Sequence, residues 1–110
     1  MNSKITRKRR SDRNHAIYVI TNVHTNEQYV GITAVVFNGN VKRSLTRRMQ
    51  KHMQRARAEA KDWGLSRNLR EFGSDAFTFG LLEIVRGKKA AHARETQMIK
   101  QFDPALNTFK

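Results

Sequence analysis

The chain has 110 residues, 22 Lys plus Arg against 9 Asp plus Glu, a net charge of +13 and 38% hydrophobic residues. That length suits one small domain. The absence of cysteine excludes disulfides and thiolate metal sites, and no apolar run approaches the roughly 18 residues of a membrane span. The charged N-terminus lacks a secretory pattern, so an intracellular setting, cytoplasmic or nucleoid-associated, is the expectation. Such a basic excess calls for a polyanion as partner, with nucleic acid ahead of an anionic membrane surface.

Residues 1–14 carry Lys4, Arg7, Lys8, Arg9, Arg10 and Arg13 with almost nothing apolar. This reads as a flexible basic arm that contacts phosphates, chiefly through Arg7, Arg9 and Arg10. A targeting signal or a tail without a role are the alternatives. The folded domain is expected over 15–110.

Ala16–Asn22 and Gln28–Thr33 are rich in β-branched and aromatic residues, and His24-Thr25-Asn26-Glu27 between them is polar. The pattern is a β-hairpin. Alternation puts Tyr18 on a face with Ala16 and Ile20, and Tyr29 on a face with Gly31 and Thr33. Taken alone, two such tyrosines are packing residues. Residues 34–40 end in the turn signal Asn38-Gly39-Asn40 and predict a mobile flap or a short extra hairpin.

A long helix is expected from Val41 or Ser44 to Asp62. Leu45, Met49, Met53, Ala56 and Ala60 recur at helical spacing and form its apolar stripe. Lys42, Arg43, Arg47, Lys51 and Arg55 cover much of the remainder and are candidate nucleic-acid contacts. Arg48 and His52, four apart, are neighbours along one edge of the stripe, where a side chain can reach into a cleft. Trp63-Gly64 breaks the pattern. Ser66 is the expected cap of a short helix over 67–72, closed by Gly73.

Phe77–Val85 predicts the third strand, with Phe77, Phe79, Leu81 and Val85 on one face and Leu82 and Ile84 on the other. Two apolar faces imply cover on both sides. The last helix runs from about Ala90 to Phe102 and stops before Asp103-Pro104. Ala91, Met98, Ile99 and Phe102 mark its buried face, and Glu95 falls within that stripe. A carboxylate there is costly unless it pairs or binds a cation. An ion pair to an arginine and a bound cation are both open. The tail after Pro104 is expected to pack back on the domain. The order β-β-α-α-β-α defines an α+β fold, a small three-stranded, mainly antiparallel sheet flanked by helices.

The chain has no Ser-His-Asp arrangement, P-loop or His-x-x-x-His pair. Of the four histidines only His52 has a suggestive neighbour. Two tyrosines, an Arg/His pair, one carboxylate in an apolar stripe and a basic surface supply what a phosphodiester hydrolase needs: a base for water, a cation for phosphoryl charge, and a metal ligand. One obvious carboxylate argues against two-metal nucleases.

With these residues in order, the chain resembles the GIY-YIG nuclease superfamily over about residues 15–110. Ala16-Ile17-Tyr18 and Tyr29-Val30-Gly31 stand where the family has its two name-giving triplets. Arg48-Met49-Gln50-Lys51-His52 matches the family's Arg-x-x-x-His/Tyr helix. Phe72-Gly73 through Phe77, Phe79 and Leu82-Glu83 matches its third-strand segment, Arg94-Glu95 its glutamate helix, and Asn107 its late asparagine. Each motif is weak alone; five in sequence order are specific. The chain departs in having Ala16 for the first Gly and an insertion over 34–44. For a further His or Lys found in some members, Lys61 is the nearest candidate.

The resemblance implies a metal-dependent DNA endonuclease. It implies Tyr18 as general base towards water, with its phenol pKa lowered by Arg48 and the metal, and Tyr29 on the phosphate or sharing the proton work. Arg48 would stabilise the transition state, and His52 would orient water or relay a proton. Glu95 would hold one Mg²⁺ or Mn²⁺ per active site, and Asn107 would support the site from behind. DNA is the implied substrate, with a homodimer or partner protein as a source of specificity or double-strand cutting. A non-catalytic nucleic-acid-binding module on the same scaffold is the alternative, and a basic ribosomal-type protein explains charge and size only.

Overall fold

A computed structural model describes residues 13–36, 39–58 and 64–107. Its elements are β1 (Asn14–Asn22), β2 (Gln28–Ala34), α1 (Val41–Ala58), α2 (Gly64–Phe72), a single 3₁₀ turn (Ser74–Ala76), β3 (Phe77–Arg86) and α3 (Lys88–Phe102). The strands form one antiparallel sheet in the order β2-β1-β3. The hairpin strand β1 is therefore central, and Ala16, Ile17, Tyr18 and Ile20 on it have no exposed surface.

Asn22 turns the hairpin. Its Oδ1 accepts the backbone N–H of His24 at 2.8 Å, while Asn22 Nδ2 donates to Asn68 Oδ1 at 2.6 Å and ties the turn to α2. A side-chain acceptor at this position satisfies turn amides that no strand partner reaches. Tyr18 and Ile20 point to one face, where they pack with Ala56 of α1, Leu65 and Leu69 of α2, and Leu106 of the tail. Ile17 points to the other and packs with Val30 of β2 and Met98 of α3. The sheet is thus sandwiched between α1/α2 and α3.

Three expectations are corrected here. First, β3 is an edge strand and is not covered on both sides: Leu81 is 47% and Ile84 39% exposed. A shift in register opposite Ile17/Tyr18 pairs Glu83 with Ile17 and Leu81 with Tyr18, so Leu82 is extra and turns in against the α3-side core. On the α1 side a groove of about 1070 Å³ remains between helix and strand, and Leu81 lines it. Second, α2 begins at Gly64, so Ser66 is a buried residue inside the helix and not its cap. Leu106 O lies 2.9 Å from where a Cβ on Gly64 would stand, so only glycine lets the tail approach this closely. Third, Phe102 is 42% exposed although it continues the α3 stripe.

Among the described residues of 34–40 there is no extra hairpin. Val36 N–H donates to Ser44 Oγ at 2.9 Å, and Asn40 Oδ1 accepts Arg43 N–H at 2.9 Å, which caps α1 and joins the end of this segment to it. The C-terminal stretch packs back: Leu106 N–H donates to Gln28 O at 2.9 Å along the free edge of β2. Asn14 already belongs to β1. Arg7, Arg9, Arg10, Ala60, Lys61 and the expected end of the long helix lie outside the described residues.

Gly31, opposite Tyr18 in the β1–β2 register, is where the backbone must stay bare. A Cβ there would fall against the Tyr18 hydroxyl, 2.5 Å from Tyr18 Cζ and 2.7 Å from Tyr29 Cε2. Gly31→Ala is expected to cost about 1–3 kcal/mol through overpacking, read as a lower urea midpoint. A midpoint equal to the parent's would show that the two rings are not held against that backbone.

Candidate active site

The site forms over the β2 edge, where helices from both sides of the sheet meet. A cleft of about 350 Å³ is lined by Tyr29 of β2, Arg48, His52 and Arg55 of α1, Ser66 of α2, Glu95 of α3, and Asn107 of the tail, among others. Helical spacing along α1 sends Met49 and Met53 into the core and leaves Arg48 and His52 on the flank that borders this cleft.

Tyr18 lies behind the cleft wall, with no exposed surface. Its ring stacks on Phe79 with centroids 4.9 Å apart, and its hydroxyl is 2.8 Å from His52 Nε2. Arg48 Nε–H donates to the same oxygen at 3.3 Å. Tyr29 stands edge-on to His52 at 5.3 Å and 6.3 Å from the Tyr18 ring. The Tyr18 hydroxyl accepts from Arg48 and pairs with His52 Nε2, where the histidine tautomer decides which group donates, and its proximity to Tyr29 eases Tyr29 ionisation.

The electrostatics differ from expectation. Burial, then the neighbouring Tyr29, pushes the Tyr18 phenol far above its ordinary range, and Arg48 only partly offsets this. The expectation that Arg48 lowers the Tyr18 phenol below its ordinary range is corrected, because burial outweighs it, and so is direct contact of Tyr18 with cleft water. Burial raises the Tyr29 phenol as well, against the pull of Arg48. Burial, then Arg48 and Arg55, lowers His52 from 6.5 to about 4, so it is neutral at pH 7. Burial raises the Glu95 carboxyl; His92 and Arg48 pull it back.

Glu95 sits within the α3 stripe as its spacing predicted, its side chain 17% exposed and 3.5 Å from His92 Nδ1. His92 was not read from the sequence, although its place three residues before Glu95 is the signal that reveals it. Arg94 forks onto both oxygens of Glu83 at 3.1 and 3.2 Å, which joins α3 to β3 and leaves Glu95 to the cleft. Asn107 reaches the free edge of β2: its Oδ1 accepts Val30 N–H and its Nδ2 donates to Val30 O, both at 2.8 Å. It closes the strand edge directly beside Tyr29.

Lys42, Arg43, Arg47, Lys51 and Arg55 are exposed along α1. Arg55 also lines the catalytic cleft, as does Ser66; neither was expected there. Among the described residues no group of three or more His, Cys, Asp or Glu side chains could hold a metal ion. A metal here would rest on Glu95 with water and substrate oxygens, a donor set that suits Mg²⁺, which keeps much of its hydration and takes one or two carboxylates. Among these residues, too, no helix is long and apolar enough to cross a membrane.

The family model for the GIY-YIG catalytic domain matches residues 14–110. The chain belongs to the GIY-YIG family: it is an endonuclease domain, a phosphodiester hydrolase with the α+β fold expected of it. Among solved structures it is similar to the catalytic domain of the homing endonuclease I-TevI, with a TM-score of 0.64 and 22% identity over 86% of this chain and 95% of that one. A glutamate-to-alanine mutant of the I-TevI catalytic domain, described as an intron endonuclease, gives a TM-score of 0.66 and 23% identity over 88% and 92%. No curated protein sequence matches the chain.

The lowered His52 pKa has a stability consequence. As pH falls from 6.5 towards 4 the unfolded chain takes up a proton that folded His52 refuses, so stability drops across that window. Glu95 acts with the opposite sign, because its raised pKa favours the folded state at low pH. Comparison with His52→Gln isolates the histidine. The variant's denaturant midpoint should fall less between those pH values than the parent's, and parallel curves would contradict the assignment.

Proposed function

We propose that the domain hydrolyses a DNA phosphodiester held between α1, the β2 edge and α3, with water activated by the phenol pair and a divalent cation on Glu95. The observation that carries this reading is convergence: a phenol, a guanidinium, a neutral imidazole and a half-buried carboxylate, from three separate elements, border one cleft.

Arg48 neutralises the charge that develops on the phosphoryl oxygens. Tyr29, which lines the cleft, acts as the phenolate: its own proton passes to solvent in the cleft, and the phenolate then takes the proton from the attacking water. Tyr18 stands behind it and donates to its oxygen, so the negative charge is shared with a phenol that itself accepts from Arg48. This places the Tyr18 role expected from the sequence one hydrogen bond back from the water. His52 is neutral at working pH and relays the proton onwards. Glu95 would hold Mg²⁺ or Mn²⁺. Such an ion supplies Lewis-acid charge to a phosphoryl oxygen and counters the Glu95 charge that hinders phenol ionisation. Asn107 keeps Val30, and with it Tyr29, in place. The basic arm and the exposed cations of α1 contribute phosphate contacts, which position DNA without reading its sequence. The 34–44 insertion is the candidate for any specificity. One site cuts one strand, so a double-strand break needs a second copy, a partner, or a second visit.

Supercoiled plasmid incubated with Mg²⁺ or with EDTA tests the reading. Mg²⁺-dependent nicking is expected, and Tyr29→Phe, Arg48→Ala and Glu95→Ala should each reduce its rate by about 100-fold or more. Persistent cleavage in Glu95→Ala would remove the metal assignment. Tight binding without cleavage of any plasmid or branched substrate would favour the binding-module alternative.

A further inference from the structure

A second cleft, of about 390 Å³, adjoins the catalytic one and shares Arg48 with it. Arg47 and Lys51 of α1, Lys88 and His92 of α3, and His15 of β1 also line it, and no carboxylate does. Among the described residues Arg47, Lys51 and Lys88 form no ion pair; Glu83 pairs with Arg94, and Glu95 reaches the cleft wall only at His92, 3.5 Å away. Cations left without acids around a concave surface lower the free energy of an anion there.

His15 strengthens the case. It is only 5% exposed, and its Nδ1–H donates to Arg13 O at 2.9 Å. That bond fixes the tautomer, so its Nε2 is an acceptor, and no partner for it exists among the described residues. A buried imidazole nitrogen without a partner is costly in a dry wall. It is satisfied if the cleft holds a group that brings a water or an O–H. Thr33 adds a hydroxyl to the same wall.

We propose that this cleft is a phosphate subsite that holds the backbone phosphate next to the scissile one on the cut strand. Resting on the nuclease reading for the identity of the strand, it assigns the cleft to the neighbouring step because Arg48 borders both spaces and successive phosphates of one strand must thread past it. Lys51 of α1 and Lys88 of α3 both line the cleft, so it draws its cations from helices that pack on opposite faces of the sheet. The cleft is thereby distinct from a general basic surface: it has a position, a limited volume and a buried reporter.

The test reads binding and not cleavage, so it stands apart from the outcome for catalysis. The His15 and His92 ring signals are followed by NMR in EDTA, first with inorganic phosphate and then with a short DNA duplex. Saturable shifts of both rings are expected with each, the duplex acting at far lower concentration, and Lys88→Ala and Lys51→Ala should weaken both. By fluorescence anisotropy each variant should bind the duplex several-fold more weakly and lower the salt slope by about one unit. Lys100→Ala, exposed at the far end of α3, should match the parent in both assays. Shifts with inorganic phosphate alone would overturn the subsite in favour of a free-anion site. Cleft variants indistinguishable from Lys100→Ala would overturn it altogether.

Discussion

The hydroxyl of Tyr18 is the point to which the rest of the site is fitted. It is buried on the central strand, receives Arg48 from one turn of α1, and lies 2.8 Å from His52 one turn further on. Phe79 of β3 supports the ring from one side, and the bare backbone of Gly31 on β2 lets it lie flat against the sheet. All three strands and the first helix are therefore registered against one phenol. Displacing that oxygen by the width of a methyl group would move the guanidinium and the imidazole together.

Burial dominates the chemistry of this node. It raises both phenols, raises the Glu95 carboxyl and lowers His52, so each of these groups is pushed towards its neutral form. Arg48 remains as the cation among them. A cation held by Glu95 would add positive charge beside both phenols and favour their ionisation, in the same direction as Arg48.

Much of this was legible in the sequence, because it rests on local periodicity. β-branched residues at every second position reveal the hairpin. Spacings of three and four reveal the α1 stripe, the flank carrying Arg48 and His52, and the place of Glu95 within the α3 stripe. The different exposure of Tyr18 and Tyr29 was not legible, since both lie on the same face of one hairpin. Only the non-local pairing of β3 makes β1 central and β2 an edge, and that buries Tyr18 while Tyr29 borders the cleft. The open face of β3 was hidden for a similar reason: Leu81 looks like a core residue, but α1 stops short of covering it. Ser66 as a cleft residue depended on where α2 begins, which Gly64 and its close contact with Leu106 decide.

The most direct measurement is the pH dependence of single-turnover cleavage with a fluorinated tyrosine, whose phenol is more acidic, placed at position 29 or at position 18. If Tyr29 takes the proton from water, substitution there moves the rising limb of the profile to lower pH, while substitution at Tyr18 moves it less. A profile that shifts only with the substitution at Tyr18, or with neither, would contradict the account.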